Sequence, residues 1–127
     1  MATMTHGVGW FEIGTDDPET TQRFYGAVFG WTFAADENAG APYHIATTPA
    51  PDSIKGGVLS TGGQLPNYAT FCVVVQDVAA TCVSVEEAGG KVLIPATEAG
   101  DGLVWAHVAD PSGNRVGLYT PAPGQGS

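Results

Sequence analysis

Shifted by about sixty residues, the chain aligns with itself without a gap, and this internal repeat narrows the possible folds more than any other feature. Phe11-Glu12-Ile13 meets Phe71-Cys72-Val73, Asp17 meets Asp77, Gly30 falls on Gly90, and Thr32-Phe33 falls on Val92-Leu93. Strand, helix start, helix stop and following strand therefore recur in step. A chain of 127 residues is long enough for one hydrophobic core and too short for two. The repeat thus predicts one domain made of two similar halves, module one over about 6–60 and module two over about 67–121, with a loose tail at 122–127.

Each half has the same local grammar: a short alternating strand, an Asp suited to capping, a helix, and a glycine where the chain must leave it. Pro18 follows Asp17 at the favoured first helical position. The spacing predicts helix one over Pro18 to Phe29, with Phe24 and Val28 sharing its apolar face, and helix two over Val78 to Ala88, with Val78, Cys82 and Val85 doing the same. Further strands are expected over Tyr43 to Thr48, Lys55 to Leu59, Val92 to Pro95, Leu103 to Ala109 and Arg115 to Tyr119. Asp110-Pro111-Ser112-Gly113 reads as a turn. Pro121 to Ser127, rich in proline and glycine, is expected to bury little.

A sheet with one helix per half has one face covered and one left over. Phe11, Ile13, Phe71, Val73, Val75, Ala106, Val108, Val116 and Leu118 are apolar series suited to lying under helices. Their alternates are Trp10 and Glu12, Thr70 and Cys72, Trp105 and His107, and Arg115, Gly117 and Tyr119. Such a mixture of aromatic, polar and glycine residues suits the lining of a pocket better than a dry core.

Charge limits the partners. Thirteen Asp and Glu against 4 Lys and Arg give a formal charge of −9, which repels phosphate backbones and concentrates cations, so nucleic acid is not expected. No apolar run approaches the roughly 18 residues that cross a bilayer. The opening residues Met1 to His6 have neither a basic cluster nor an apolar stretch, so a membrane is excluded and cytoplasm is the expected location. Cys72 and Cys82 match no zinc or redox spacing and read as reduced thiols packed as small apolar groups.

Trp10-Phe11-Glu12-Ile13, Asp17-Pro18-Glu19, Phe24-Tyr25, Phe29-Gly30-Trp31, Gly89-Gly90-Lys91-Val92 and Asp110-Pro111-Ser112-Gly113 occur in an order that resembles the vicinal oxygen chelate superfamily. That superfamily contains glyoxalase I, bleomycin resistance proteins and extradiol dioxygenases, and the resemblance runs across nearly the whole chain, closest to the short glyoxalase-like branch. It implies an α+β fold of two paired βαβββ modules forming a partly open curved barrel, a small-molecule site on the concave side, and a homodimer. It also places the metal-ligand positions of metal-using members at Trp10, Gly56 or Gly57, Thr70 and Gly117, none of which is a usual ligand. No metal and no cofactor is therefore expected. One exception stays open: Glu12, His44 and His107 could converge as a carboxylate and two imidazoles, a set that suits iron or manganese.

Each candidate residue has two readings. Glu12 is either a ligand anchor or general base, or a structural partner of Arg115. His107 is either a pocket acid or base, or a hydrogen-bonded wall residue, and His44 is a weaker candidate because the direction of its strand is open. Trp10, Trp105 and Tyr119 either stack on a planar or cationic ligand or fill the interior. Trp31 reads as core or dimer interface, and His6 as exposed. Three functions remain: a metal-free protein that binds or sequesters a small cationic or aromatic molecule, with Trp10, Glu12, His44, Cys72, Trp105, His107, Arg115 and Tyr119 in contact with it, a metal-independent isomerase, lyase or hydrolase using Glu12 or His107, or an accessory protein whose cavity is incidental and whose dimer surface matters.

Overall fold

A computed structural model describes residues 5–39 and 42–123. The chain divides into two compact units, the first being Trp10–Ala69 and the second Thr70–Ser127 together with Met1–Gly9. Both follow the β-α-β-β-β order that the repeat predicts, and the α+β class is as expected.

The first unit is built from β1 (Val8–Thr15, whose first two residues count with the second unit), α1 (Pro18–Phe29), β2 (Thr32–Ala35), β3 (Tyr43–Thr47) and β4 (Gly56–Ser60). Its strands lie in the order β2-β3-β4-β1. β1 and β4 run parallel, and the other neighbours run antiparallel. α1 starts where Asp17 accepts a hydrogen bond from the Thr20 backbone N–H at 3.2 Å, with Pro18 following, and it stops at Gly30, whose φ of 74° is a left-handed conformation that glycine adopts without strain.

The face of α1 that turns inward is not the expected one. Phe24 and Val28 are 54% and 55% exposed. The half-buried residues of the helix are instead Pro18, Thr21, Gln22, Tyr25 and Gly26, also at helical spacing. Two contacts fix this rotation: the Thr21 hydroxyl donates to the Thr15 hydroxyl at 2.9 Å, and the Tyr25 ring stacks on Trp31 with centroids 4.9 Å apart. Trp31 in turn meets Phe11 at 5.2 Å, so it joins helix to sheet.

The second unit holds β5 (Tyr68–Val74, whose first two residues count with the first unit), α2 (Val78–Glu87), β6 (Lys91–Glu98), β7 (Val104–Ala109) and β8 (Arg115–Thr120), in the strand order β5-β8-β7-β6. Its entering segment is tied to β5, because the His6 N–H donates to the Val74 carbonyl at 2.6 Å and the Val74 N–H to the Gly7 carbonyl at 2.9 Å. A core of Val75, Val78, Cys82, Ala106, Val108 and Leu118 lies between sheet and helix, as the alternating apolar series predicts. Cys82 is thus a core thiol, and burial, then the nearby Glu86 carboxylate, push its pKa up. The tail departs from expectation at Ala122, which is only 4% exposed, and the remaining tail residues 124–127 lie outside the described residues. Among the described residues no helix is long and apolar enough to cross a membrane.

Candidate functional site

In the first unit, strand register decides which side chains share a face. Glu12 pairs with Gly57, and Gly57 pairs with Ile45, so Trp10, Glu12, Gly14, Gly57, Tyr43 and Ile45 project on one side. Phe11, Ile13, Val58 and Ala46 project on the other, where Phe11 meets Trp31. His44 pairs with Val58 and Ala35, which puts it on this second face, opposite Glu12. The strand direction left open by the sequence therefore separates His44 from the residues it was grouped with.

A directed hydrogen-bond chain runs along the Glu12 face. The Trp10 Nε1–H donates to the Tyr43 hydroxyl at 2.9 Å, and Tyr43 passes its own proton toward Glu12 Oε1 at 2.9 Å. An indole nitrogen only donates, which fixes this direction. The Tyr68 hydroxyl donates to Glu12 Oε2 at 2.6 Å. Both carboxyl oxygens thus accept hydrogen bonds from phenols, and Glu12 is 9% exposed. Glycine makes room for each phenol. A Cβ on Gly57 would stand inside the Tyr43 ring and hydroxyl, and one on Gly14 would stand inside the Tyr68 ring.

Tyr43 and Tyr68 lie outside the candidate set that the sequence pattern defines. For Tyr68 alternation with Thr70 and Cys72 offered the signal, one strand position before the residues considered, whereas the side of Tyr43 follows only from the pairing of its strand. The available signal was the pair Gly14 and Gly57, two missing side chains on the face that carries Glu12.

In the second unit, Cys72 pairs with Gly117 and Gly117 with His107, while Val74 and Trp105 both pair with Tyr119 and Ala109 pairs with Arg115. Cys72, Trp105, His107, Arg115, Gly117 and Tyr119 accordingly share one face, as alternation predicts. His107 is 2% exposed, its Nδ1 lies 2.9 Å from an Arg115 guanidinium nitrogen, and its ring meets Trp105 edge-on at 5.4 Å. The Thr70 hydroxyl donates to the Arg115 carbonyl at 2.5 Å. Burial, then the neighbouring Cys72 thiol, push the Tyr119 pKa up, so its hydroxyl keeps its proton through the neutral range.

The four expected metal-ligand positions can be tested against this geometry. Gly56 drops out because its missing side chain is replaced by the Phe11 ring on the opposite face. At Gly57 the space is taken by Tyr43, and at Gly117 by the Cys72 sulfur, 2.6 Å from where a Cβ would stand. Trp10 and Thr70 spend their polar hydrogens on Tyr43 and the Arg115 carbonyl. This set does not fit a metal ion, which needs several imidazole, carboxylate or thiolate groups converging. Among the described residues no three His, Cys, Asp or Glu side chains are grouped to hold one, and within the first unit Glu12 and His44 stand on opposite faces of the sheet.

Two repeated β-α-β-β-β units, each with a helix on one face and polar and aromatic groups on the other, define an α+β protein of duplicated architecture. A family model for the Glyoxalase/Bleomycin resistance protein/Dioxygenase superfamily matches residues 7–118, and the chain belongs to that superfamily. It is 31% identical over 117 residues to "Putative glyoxylase CFP32" of Mycobacterium tuberculosis, an alignment covering 87% of this chain and 44% of that protein. The chain thus spans less than half the length of this curated relative. Among solved structures, methylmalonyl-CoA epimerase from Mycobacterium tuberculosis superposes with a TM-score of 0.61 at 14% identity, over 97% of this chain and 93% of that one. The Mn(II)-bound glyoxalase from Novosphingobium aromaticivorans gives 0.60 at 17% identity, over 95% of this chain and 40% of that one. At such identities the likeness establishes the fold alone.

Proposed function

We propose that the protein is a metal-independent member of its superfamily that binds or sequesters a small organic molecule, with a cationic aromatic group of that molecule taken up by the Glu12 face. The observation that carries this reading is a carboxylate with both oxygens gripped by phenols and an indole beside it. An acidic side chain among aromatic rings suits an organic cation, through charge attraction and cation–π contact. The net charge of −9 adds long-range attraction for such a ligand. Trp10 and Glu12 are the proposed contacts in the first unit, and Cys72, Trp105, His107, Arg115 and Tyr119 in the second, each face being treated as a binding surface in its own right. His44 leaves the set. The proposal includes a cytoplasmic location, which two free cysteines suit. It also includes a homodimer, which the exposed Phe24, Val28 and Phe29 of α1 support and which sedimentation of wild type against Phe24→Glu checks.

The test is a titration with N-methylquinolinium, followed by tryptophan quenching, against neutral 2-methylnaphthalene. Saturable quenching by the cation is expected, unchanged by EDTA, weakening as salt rises, and lost in Glu12→Gln. Equal quenching by the neutral compound, or none by either, contradicts the reading. A second reading, a metal-independent isomerase, lyase or hydrolase, draws support from the short Tyr68–Glu12 bond, which gives a carboxylate a route for proton exchange. Turnover that survives EDTA but is lost in Glu12→Gln or His107→Ala favours it over binding alone.

A further inference from the structure

We infer that a groove on the helix side of the second unit binds a small arylalkylamine, with its planar ring in the groove and its ammonium group at Asp110. Val85, Gly90, Val108, Pro111, Val116 and Leu118 line the groove, and Asp110 stands among them. The site is separate from the polar faces, because strand alternation turns Val108, Val116 and Leu118 away from His107, Arg115 and Tyr119.

The repeat shows what the groove lacks. The left-handed glycine that follows each helix is Gly30 in the first unit, with φ 74°, and Gly89 in the second, with φ 97°, so Trp31 matches Gly90. Strand pairing gives the same correspondence: Phe33 stands beside Ala46 and Ala46 beside Gly56, as Val92 stands beside Val108 and Val108 beside Val116. In the first unit the place is full. Trp31 stacks on Tyr25 with centroids 4.9 Å apart and meets Phe11 at 5.2 Å, and the Phe11 ring occupies the space that Gly56 leaves free. In the second unit Val85 matches Tyr25 and Gly90 matches Trp31. Val116 takes the room that glycine leaves at Gly56, and Phe71, the match of Phe11, is 47% exposed. A Cβ on Gly90 would stand 2.8 Å from Val85 Cγ1 and 2.6 Å from the Ala109 carbonyl oxygen, so the chain cannot supply a ring from that position. What remains is an apolar groove of about 270 Å³. An apolar cavity of about 150 Å³ already takes up benzene, so a fused ring has room here.

Charge selects among ring-bearing ligands. Asp110 alone is charged among the described lining residues. Its carboxylate accepts the Asn114 side-chain amide at 2.9 Å, the Asn114 backbone N–H at 2.9 Å and the Ser112 backbone N–H at 3.0 Å. The Asn114 bonds above all hold its pKa below the usual carboxylate range, so it is ionised at neutral pH. The net charge of −9 further attracts a cation and repels an anion.

The experiment uses the full chain with 13C-labelled valine methyl groups, those of Val85 and Val116 being assigned through Val85→Ile and Val116→Ile. Tryptamine is titrated beside indole, which keeps the ring without the charge, and indole-3-propionate, which carries the opposite charge. Saturable shifts at the Val85 and Val116 methyls are expected with tryptamine, weaker binding with indole, and none with indole-3-propionate. Asp110→Asn is expected to weaken tryptamine about threefold and leave indole unchanged. Val116→Phe, which fills the groove, is expected to abolish the Val85 shifts with both; should it fail to fold, Asp110→Asn decides. Tryptamine that leaves both methyls unmoved, binds no more tightly than indole-3-propionate, or is unaffected by Asp110→Asn overturns the inference. So do the same shifts produced by raising the protein concentration without ligand, which would make a second copy of the chain the occupant.

Discussion

The two units repeat one strand order and differ in the side chains that meet on their polar faces. In the first, Trp10, Tyr43 and Tyr68 direct their protons toward Glu12, and the face ends in a carboxylate. In the second, Arg115 directs a proton toward His107 Nδ1, so a guanidinium and an imidazole meet where the first unit has a carboxyl group. Duplication therefore preserved the backbone frame while the side chains at matching places diverged: Glu12 aligns with Cys72 in the sixty-residue repeat. Fold likeness sets where such groups can stand and leaves their chemistry open. The helices differ in a parallel way. α2 buries Val78 and Cys82 in a core, whereas α1 buries nothing fully and is held by Tyr25 on Trp31 and Thr21 on Thr15.

The largest effect separating the units is expected at two glycines. Gly57→Val must displace the hydroxyl end of the Tyr43 ring, so Glu12 loses a donor as well. Overpacking and a lost hydrogen bond together predict a cost of about 3 kcal/mol by chemical denaturation, with loss of N-methylquinolinium binding. Gly117→Ala meets only a thiol that can change rotamer, and about 1 kcal/mol is expected. Equal costs at the two positions would break the comparison.

A smaller effect concerns acid. Hydrogen bonds from Thr20 hold the Asp17 carboxyl below the usual carboxylate range, and hydrogen bonds from Asn114 do the same for Asp110. A depressed pKa makes its contribution complete above the ordinary value of about 4, and that contribution is lost as pH falls through the lowered one. Each unit has one such exposed carboxylate, so Asp17→Asn and Asp110→Asn should flatten the acid side of a stability profile to similar extents. A change in one variant alone would show that the units differ here too.

Much of the frame was legible in the sequence because punctuation residues carried it. α1 has the bounds Pro18–Phe29 that Asp17, Pro18 and Gly30 predict. The sequence pattern ends β6 at Pro95, whereas the strand continues to Glu98. Proline is tolerated there because β6 ends its unit's strand order and its register with β7 slips on either side of Ile94. The second polar face was legible because alternation along β7 and β8 needs no knowledge of neighbours. In the first unit the decisive facts are long-range: Tyr43 and Tyr68 reach Glu12 from 31 and 56 residues away, and only strand pairing puts His44 on the far side. Hydrophobic spacing also misjudged Phe24 and Val28, since a ring stack and a threonine pair outweighed it in setting the rotation of α1.

The most direct measurement locates the hydrogens themselves, by neutron diffraction from a deuterium-exchanged crystal near neutral pH. Deuterium on the Tyr43 and Tyr68 oxygens pointing at a bare Glu12 carboxylate, together with deuterium on His107 Nε2 and none on Nδ1, is the predicted result. Deuterium on a Glu12 oxygen, or on His107 Nδ1, would contradict the hydrogen-bond directions assigned to the two faces.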